Sequence, residues 1–332
     1  MDWWQAVILG LVEGITEYLP ISSTGHLIIV SSLLGLDQEN KSAVDAFNIV
    51  IQGGAILAVL GLYRQRVWQM IQGLLGKDAA GRKLALNLIV AFLPAAVLGV
   101  LFDDWIEARL FSTGPVIAAL ALGGVYMIVL DRRRAKREKE DPDRVHVDLT
   151  GLTVWHALFI GFMQTVAMWP GTSRSMMTIT AGVLVGLKPR QAAEFSFLLG
   201  LPTLGGACVY KLGKNLKHAH DTQTANMFET IGYGAVFIGL AVATVSAVVA
   251  VRWLVGFLNR HGLEPFGWYR LVLAAVLGTM IALGAVSIGP DASAKDPTYE
   301  PSAQAERPLR EGHPGLGARA PGSSAASFRA PL

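Results

Sequence analysis

The sequence predicts an all-α integral membrane protein with six transmembrane helices plus two re-entrant helix hairpins in an inverted-topology repeat. Three observations carry that expectation. Only 16% of the 332 residues are charged and mean hydropathy is +0.44, against roughly 25% charged in soluble domains. Charge-free runs of 16 to 22 residues recur at 46–63, 84–102, 114–130, 195–210, 230–251 and 271–290, each near the ~20 residues that cross a bilayer as a helix. Two further apolar segments, 3–35 and 152–187, are each interrupted by a proline followed by small hydroxyl residues. Helix, break and second short helix read as a re-entrant hairpin, because non-helical backbone at membrane depth survives only beside protein or a wet cavity. None of the runs alternates with period 2, which sets aside a β-barrel.

In chain order, the N-terminus lacks the basic stretch and small-residue cleavage pattern of a signal peptide. Glu13 and Glu17 then sit inside the first apolar arm, one turn apart on one helix face. A carboxylate at membrane depth costs about 2.5 kcal/mol or more, so the pair calls for water, a cation or a ligand. Pro20 ends that arm, and Ile21-Ser22-Ser23-Thr24-Gly25-His26 follows. The segment 64–83 carries five basic residues and 131–144 carries seven, whereas 103–113 has one basic and three acidic residues. The positive-inside rule puts the two basic segments in the cytoplasm and 103–113 outside. Lys211, Lys214 and Lys217 run against the pattern but are outvoted. The basic run reads as a solvated loop; no nucleic-acid site is expected. Cys208, the one cysteine, lies in an apolar run and excludes an internal disulfide. The last 42 residues, 291–332, include 24 Ala, Gly, Pro or Ser and read as a disordered tail.

The two proline breaks resemble each other. Aligned on Pro20 and Pro170, both read Pro-x-[Ser/Thr]-Ser, and a Phe starts the next apolar run in each half, Phe47 and Phe195, 27 and 25 residues later. Halves of about 1–131 and 150–290 then each hold one hairpin and three spans, an odd number, so the second half is inverted. Such repeats build a site where their broken helices meet.

Two helix N-termini pointing at one place offer free N–H groups to an anion. Arg174 adds a guanidinium suited to phosphate. Glu13 and Glu17 would repel an anion directly, and make sense around a divalent cation, Mg²⁺ or Ca²⁺, with hard oxygen ligands. Ser23 is a candidate nucleophile, and His26, three residues on, a candidate base or donor to a phosphate oxygen. Ser22, Thr24, Gly25, Thr172, Ser173, Ser175 and Arg270 are candidate substrate contacts. Helix capping by the hydroxyls, and an interfacial anchor at Arg270, are the plainer roles. The set suits phosphoryl transfer, by Ser23 or by direct water attack.

Leu11–His26, Trp169-Pro-Gly-Thr-Ser-Arg-Ser175, Glu194–Leu199 and Tyr269-Arg270 resemble signatures of the undecaprenyl-diphosphatase, or bacitracin-resistance, family, over about residues 4–287. The resemblance implies hydrolysis of undecaprenyl diphosphate to undecaprenyl phosphate and inorganic phosphate, recycling the lipid carrier for peptidoglycan synthesis and raising bacitracin tolerance. It implies a multi-pass protein of the bacterial inner membrane with its site on the outer, periplasmic side. It maps function onto Glu13, Glu17, Ser23, His26 and Arg174 with a divalent cation; a homodimer is compatible with it. Met176 departs from the pattern, which usually has Gly there. A transporter or flippase of the polyprenyl phosphate carrier is the alternative, since inverted repeats with broken helices are a transporter plan.

Overall fold

A computed structural model describes residues 1–36, 41–110, 112–141, 146–223 and 225–284. The expected disordered tail lies outside them. The N-terminal half runs α1 (Trp3–Thr16), α2 (Ser23–Leu33), α3 (Lys41–Leu62), α4 (Arg64–Leu74), α5 (Ala79–Leu110) and α6 (Thr113–Glu140). The C-terminal half runs α7 (Val154–Thr165), a 3₁₀ turn (Val166–Met168), α8 (Arg174–Leu184), α9 (Pro189–Thr222), α10 (Met227–Ile231), α11 (Tyr233–His261) and α12 (Glu264–Ala282). Among the described residues, six helices are long and apolar enough to cross a membrane: α3, α5, α6, α9, α11 and α12. The chain is a multi-pass, all-helical membrane protein. The arms α1, α2, α7 and α8 have 14, 11, 12 and 11 residues, each too short to span alone.

Four boundaries differ from the sequence expectation, most of them for one reason. Arg, Lys and Glu are good helix formers, so helices continue past the bilayer-length apolar runs. The stretch expected as a loop from 131 is helical to Glu140, stapled by Arg134–Glu138 at 2.8 Å and Lys136–Glu140 at 3.7 Å. Most of 103–113 belongs to α5, and Lys211, Lys214 and Lys217 lie on α9. The last span is Glu264–Ala282 rather than 271–290, which places Arg270 inside a helix.

The halves pack reciprocally. The first arm of each hairpin lies along a long helix of the other half, α1 on α11 and α7 on α5, while α3 meets α9 and α6 meets α12. Glycines allow the close approach. A Cβ on Gly10 would stand 2.5 Å from the Gly239 carbonyl oxygen, and one on Gly161 would stand 2.5 Å from that of Ala91. Gly10 and Gly161 are 151 residues apart, and so are the strained N-caps of the second arms. Ser22 has φ 75°, ψ 99° and Ser173 has φ 74°, ψ 116°, a left-handed region unusual for a residue with a side chain. Ser22 Oγ accepts from the Gly25 N–H at 3.4 Å and Ser173 Oγ from that of Met176 at 3.3 Å. The structural register is therefore one residue off the proline alignment. Ser22 matches Ser173, Ser23 matches Arg174, Glu13 matches Gln164, and Gly25 matches Met176.

The matched arms are not equally packed. From Ser175 to Gly182 every residue of α8 is buried, against α9. In α2 only Ser23, Gly25, Leu27 and Ser31 are buried. At the basic end, Asp131 of α6 caps α12: its Oδ2 accepts from the N–H groups of Leu263 and Glu264 at 2.9 and 3.0 Å, and its Oδ1 from Arg134 at 3.0 Å.

Candidate active site

The two hairpin breaks meet around Glu17. The α1 turn that carries it continues helically, with the Glu17 N–H bonded to the Glu13 carbonyl at 2.9 Å, and both carboxylates are buried. Ser23, first residue of α2, donates from Oγ to Glu17 Oε2 at 2.8 Å. Arg174, first residue of α8, donates from Nη2 to Glu17 Oε1 at 3.2 Å and from Nη1 to the Ser196 carbonyl at 2.9 Å. Its guanidinium carbon lies 5.4 Å from the centre of the Tyr18 ring. That ring is fixed by an edge contact to Phe197 and by donation to the Ala55 carbonyl at 3.1 Å. Ser175 Oγ donates to the Glu17 carbonyl at 2.9 Å, so the second hairpin grips Glu17 by backbone and by side chain.

Ser23, Glu17 and Arg174 thus form one chain of contacts across the repeat. The matched positions at the heads of α2 and α8 supply hydroxyl and guanidinium to the same carboxylate. Arg174 holds Glu17 and not Glu13. The two oxygens of Glu13 are fully buried without a hydrogen-bond partner, although Gln52 of α3 approaches them. His26 does not pair with Ser23 here. Its Nδ1 lies 2.7 Å from the Ser22 carbonyl oxygen and its Nε2 2.7 Å from the Tyr269 hydroxyl.

Arg270, anticipated as an interfacial anchor or substrate contact, is fully buried. Its Nη2 donates to the carbonyls of Ala119 and Gly171, each at 2.9 Å, and its Nε and Nη1 have no partner. It ties α12 to α6 and to the second break, because a guanidinium in an apolar interior must find acceptors, and the Ala119 and Gly171 carbonyls provide them. Thr172 is buried, whereas Thr24 and Ser173 are partly exposed. A Cβ on Gly25 would meet Leu120 and Leu273 at an ordinary 3.5 to 3.7 Å, so close packing does not demand glycine there. An apolar groove of about 770 Å³ between α1 and α11 is lined by Leu11, Ile15, Leu19, Val245 and Trp253 among others. On α1, Leu11 and Ile15 lie on the opposite helix face from Glu13, so the groove is not the polar site.

The profile of the bacitracin resistance protein BacA family matches residues 6–276. The chain belongs to that family. It is 45% identical over 277 residues to the undecaprenyl-diphosphatase of Sorangium cellulosum, covering 83% of this chain and 86% of the relative. It is 44% identical over 276 residues to the undecaprenyl-diphosphatase of Pseudomonas putida (82% and 92%), and 44% identical over 283 residues to undecaprenyl-diphosphatase 2 of Rhodospirillum rubrum (85% and 96%).

In this BacA-family chain, the fold brings together Glu17, Ser23 and Arg174 of the residues picked out in the sequence, with Glu13 one turn away, and adds Tyr18, Ser196 and the pairing of Tyr269, which the sequence did not suggest. Tyr18 and Ser196 carry no signal of their own, because an aromatic or a serine within an apolar run reads as core. The adjacency of Tyr269 to Arg270 was visible, but not the residue each would touch.

Proposed function

We propose that the protein hydrolyses undecaprenyl diphosphate to undecaprenyl phosphate and inorganic phosphate, in the bacterial inner membrane, from a site opening on the outer face. Family membership and relatives bearing that activity in their names support the reaction. The hydrogen bond from Ser23 Oγ to Glu17 Oε2 at 2.8 Å carries the assignment of chemistry. It places a hydroxyl beside a buried carboxylate able to take its proton, which an anion-binding carrier would not need. The basic segments 64–83 and 131–144, on the cytoplasmic side by the positive-inside rule, support the outward orientation. The hairpin arms are read as re-entrant, entering and leaving on one side. The site is built within one chain, so a homodimer is not required for the chemistry.

In the proposed reaction the Ser23 oxygen attacks the terminal phosphorus as its proton passes to Glu17. The bond to the bridging oxygen breaks, and the lipid monophosphate leaves with that electron pair. Water then cleaves the phosphoserine, returning Ser23 and releasing phosphate. Arg174, fixed by Glu17, Ser196 and Tyr18, offers positive charge to the phosphoryl oxygens. The N–H groups at the head of α2 provide further donors.

A divalent cation would find two carboxylates here, and among the described residues no third His, Cys, Asp or Glu joins them in a cluster. The buried, unpartnered oxygens of Glu13 are hard ligands, and Glu17 stands one turn away. Glu13, joined by Glu17, would hold it, and when bound it would neutralise charge on the diphosphate.

The test is phosphate release from farnesyl diphosphate by the purified protein in detergent, with Ser23→Ala beside wild type. Release by wild type and its loss in Ser23→Ala support the mechanism. Near-normal release by Ser23→Ala would favour direct water attack. No release by wild type would sink the phosphatase reading and leave the carrier or flippase.

A further inference from the structure

Tyr269 has no part in the mechanism so far, yet its geometry gives it one. A carbonyl oxygen can only accept a hydrogen bond. The 2.7 Å contact between His26 Nδ1 and the Ser22 carbonyl therefore places a proton on Nδ1. In the neutral ring Nε2 is then bare, and the 2.7 Å contact to Tyr269 is a phenol hydroxyl donating to it. The two rings are nearly parallel, 8° apart with centres at 5.6 Å, and the imidazole is held at both nitrogens.

The acceptor at the other end matters as well. Ser22 is the left-handed cap that starts α2, so His26 also fastens the first break. The next residue on α12, Arg270, fastens the second break through the Gly171 carbonyl at 2.9 Å. Two consecutive residues of one helix thus hold the two breaks, and with them the heads of α2 and α8 that carry Ser23 and Arg174. Tyr269 is half exposed, so its hydroxyl can yield Nε2 to a phosphate oxygen without repacking the core.

We propose that Tyr269 is a positioning residue for the reaction. By donating to Nε2 it holds His26 as the Nδ1–H tautomer that the Ser22 carbonyl also requires. Nε2 is then the nitrogen that takes up a proton from solvent and passes it to a substrate phosphate oxygen, and Glu17 is left to serve Ser23. This rests on His26 being part of the working site.

The experiment compares wild type, Tyr269→Phe, His26→Gln and the double variant in phosphate release from farnesyl diphosphate across pH. Tyr269→Phe keeps the ring and loses the hydroxyl. Its kcat should fall about tenfold with KM within about twofold, and the acid limb of its pH–rate profile should move. In the His26→Gln background the same change should have no further effect, because the role acts through the imidazole. A near-normal kcat in Tyr269→Phe, or an equal loss in the His26→Gln background, would overturn the proposal. If Tyr269→Phe does not accumulate, nitrogen NMR of the ring-labelled wild-type protein decides, with His26→Gln assigning the signal. A bare Nε2 carrying the shift of a hydrogen-bond acceptor supports the proposal, and a protonated Nε2, or one without that shift, overturns it. An inactive wild type would instead count against the phosphatase reading, which keeps the two failures distinct.

Discussion

Glu17→Gln is the perturbation that the site geometry makes most informative. The amide keeps the size of the carboxylate but cannot take the proton from Ser23. Loss of a positioned general base costs about 10²- to 10⁴-fold, so kcat should fall about 10³-fold, or roughly 4 kcal/mol of barrier. The same substitution removes the charge opposite Arg174, whose pair with Glu17 has side chains only 10% and 6% exposed. Breaking a buried pair from one side costs about 3–5 kcal/mol. Arg174 keeps the Ser196 carbonyl and the Tyr18 ring, so we take the low end, about 3 kcal/mol. At roughly 2–4 °C per kcal/mol for a domain of this order, the unfolding midpoint should drop by about 6–12 °C. Phosphate release gives the first quantity and tryptophan-monitored thermal unfolding in detergent the second. The coupling is the decisive part. If Glu17 acts through Ser23, adding Ser23→Ala to Glu17→Gln should lower kcat by no more than about threefold further. A kcat within tenfold of wild type, or losses that simply multiply, would refute the assignment of Glu17 as the base.

Glu13→Gln should raise the Mg²⁺ or Ca²⁺ concentration giving half-maximal phosphate release by about tenfold or more, read by titration after chelation. An unchanged titration would remove Glu13 from the cation site. Gly10→Ala should destabilise by about 1–3 kcal/mol, because its Cβ would strike the Gly239 carbonyl at 2.5 Å, whereas Gly61→Ala, with open space around it, should be neutral or slightly stabilising. Thermal unfolding of the two variants side by side checks this. Asp131→Ala removes the cap of α12 and should cost about 1–2 kcal/mol, with a lower unfolding midpoint and phosphate release per folded molecule near wild type.

Much of the architecture is legible in the residues because membrane physics leaves few alternatives. Runs near twenty residues long without charge must be helices, and a proline with hydroxyls inside such a run must be a break that something polar attends. The odd number of spans per half, with two similar breaks, was enough to anticipate that the hairpins face each other. Glu13 and Glu17 pointed to a candidate site because nothing apolar explains carboxylates inside an apolar arm, and the fold buries both. Boundaries were read too tightly, as at Glu140 and Glu264, because a charge ends an apolar run but does not end a helix.

The tertiary structure alone decided which group serves which. In sequence, His26 stands nearer Ser23 than any residue outside the break, and the prolines offer a plausible register. Folded, the left-handed caps Ser22 and Ser173 set the register one residue away, so Ser23 and Arg174 become the matched pair that meets on Glu17. His26 turns instead toward Tyr269, 243 positions along the chain, because α12 packs on α6 beside the first break. Sequence fixes which side chains a membrane cannot tolerate without a purpose. Pairing depends on backbone torsions at two serines and on helix neighbours contributed by the opposite half, neither of which is written in local residue order.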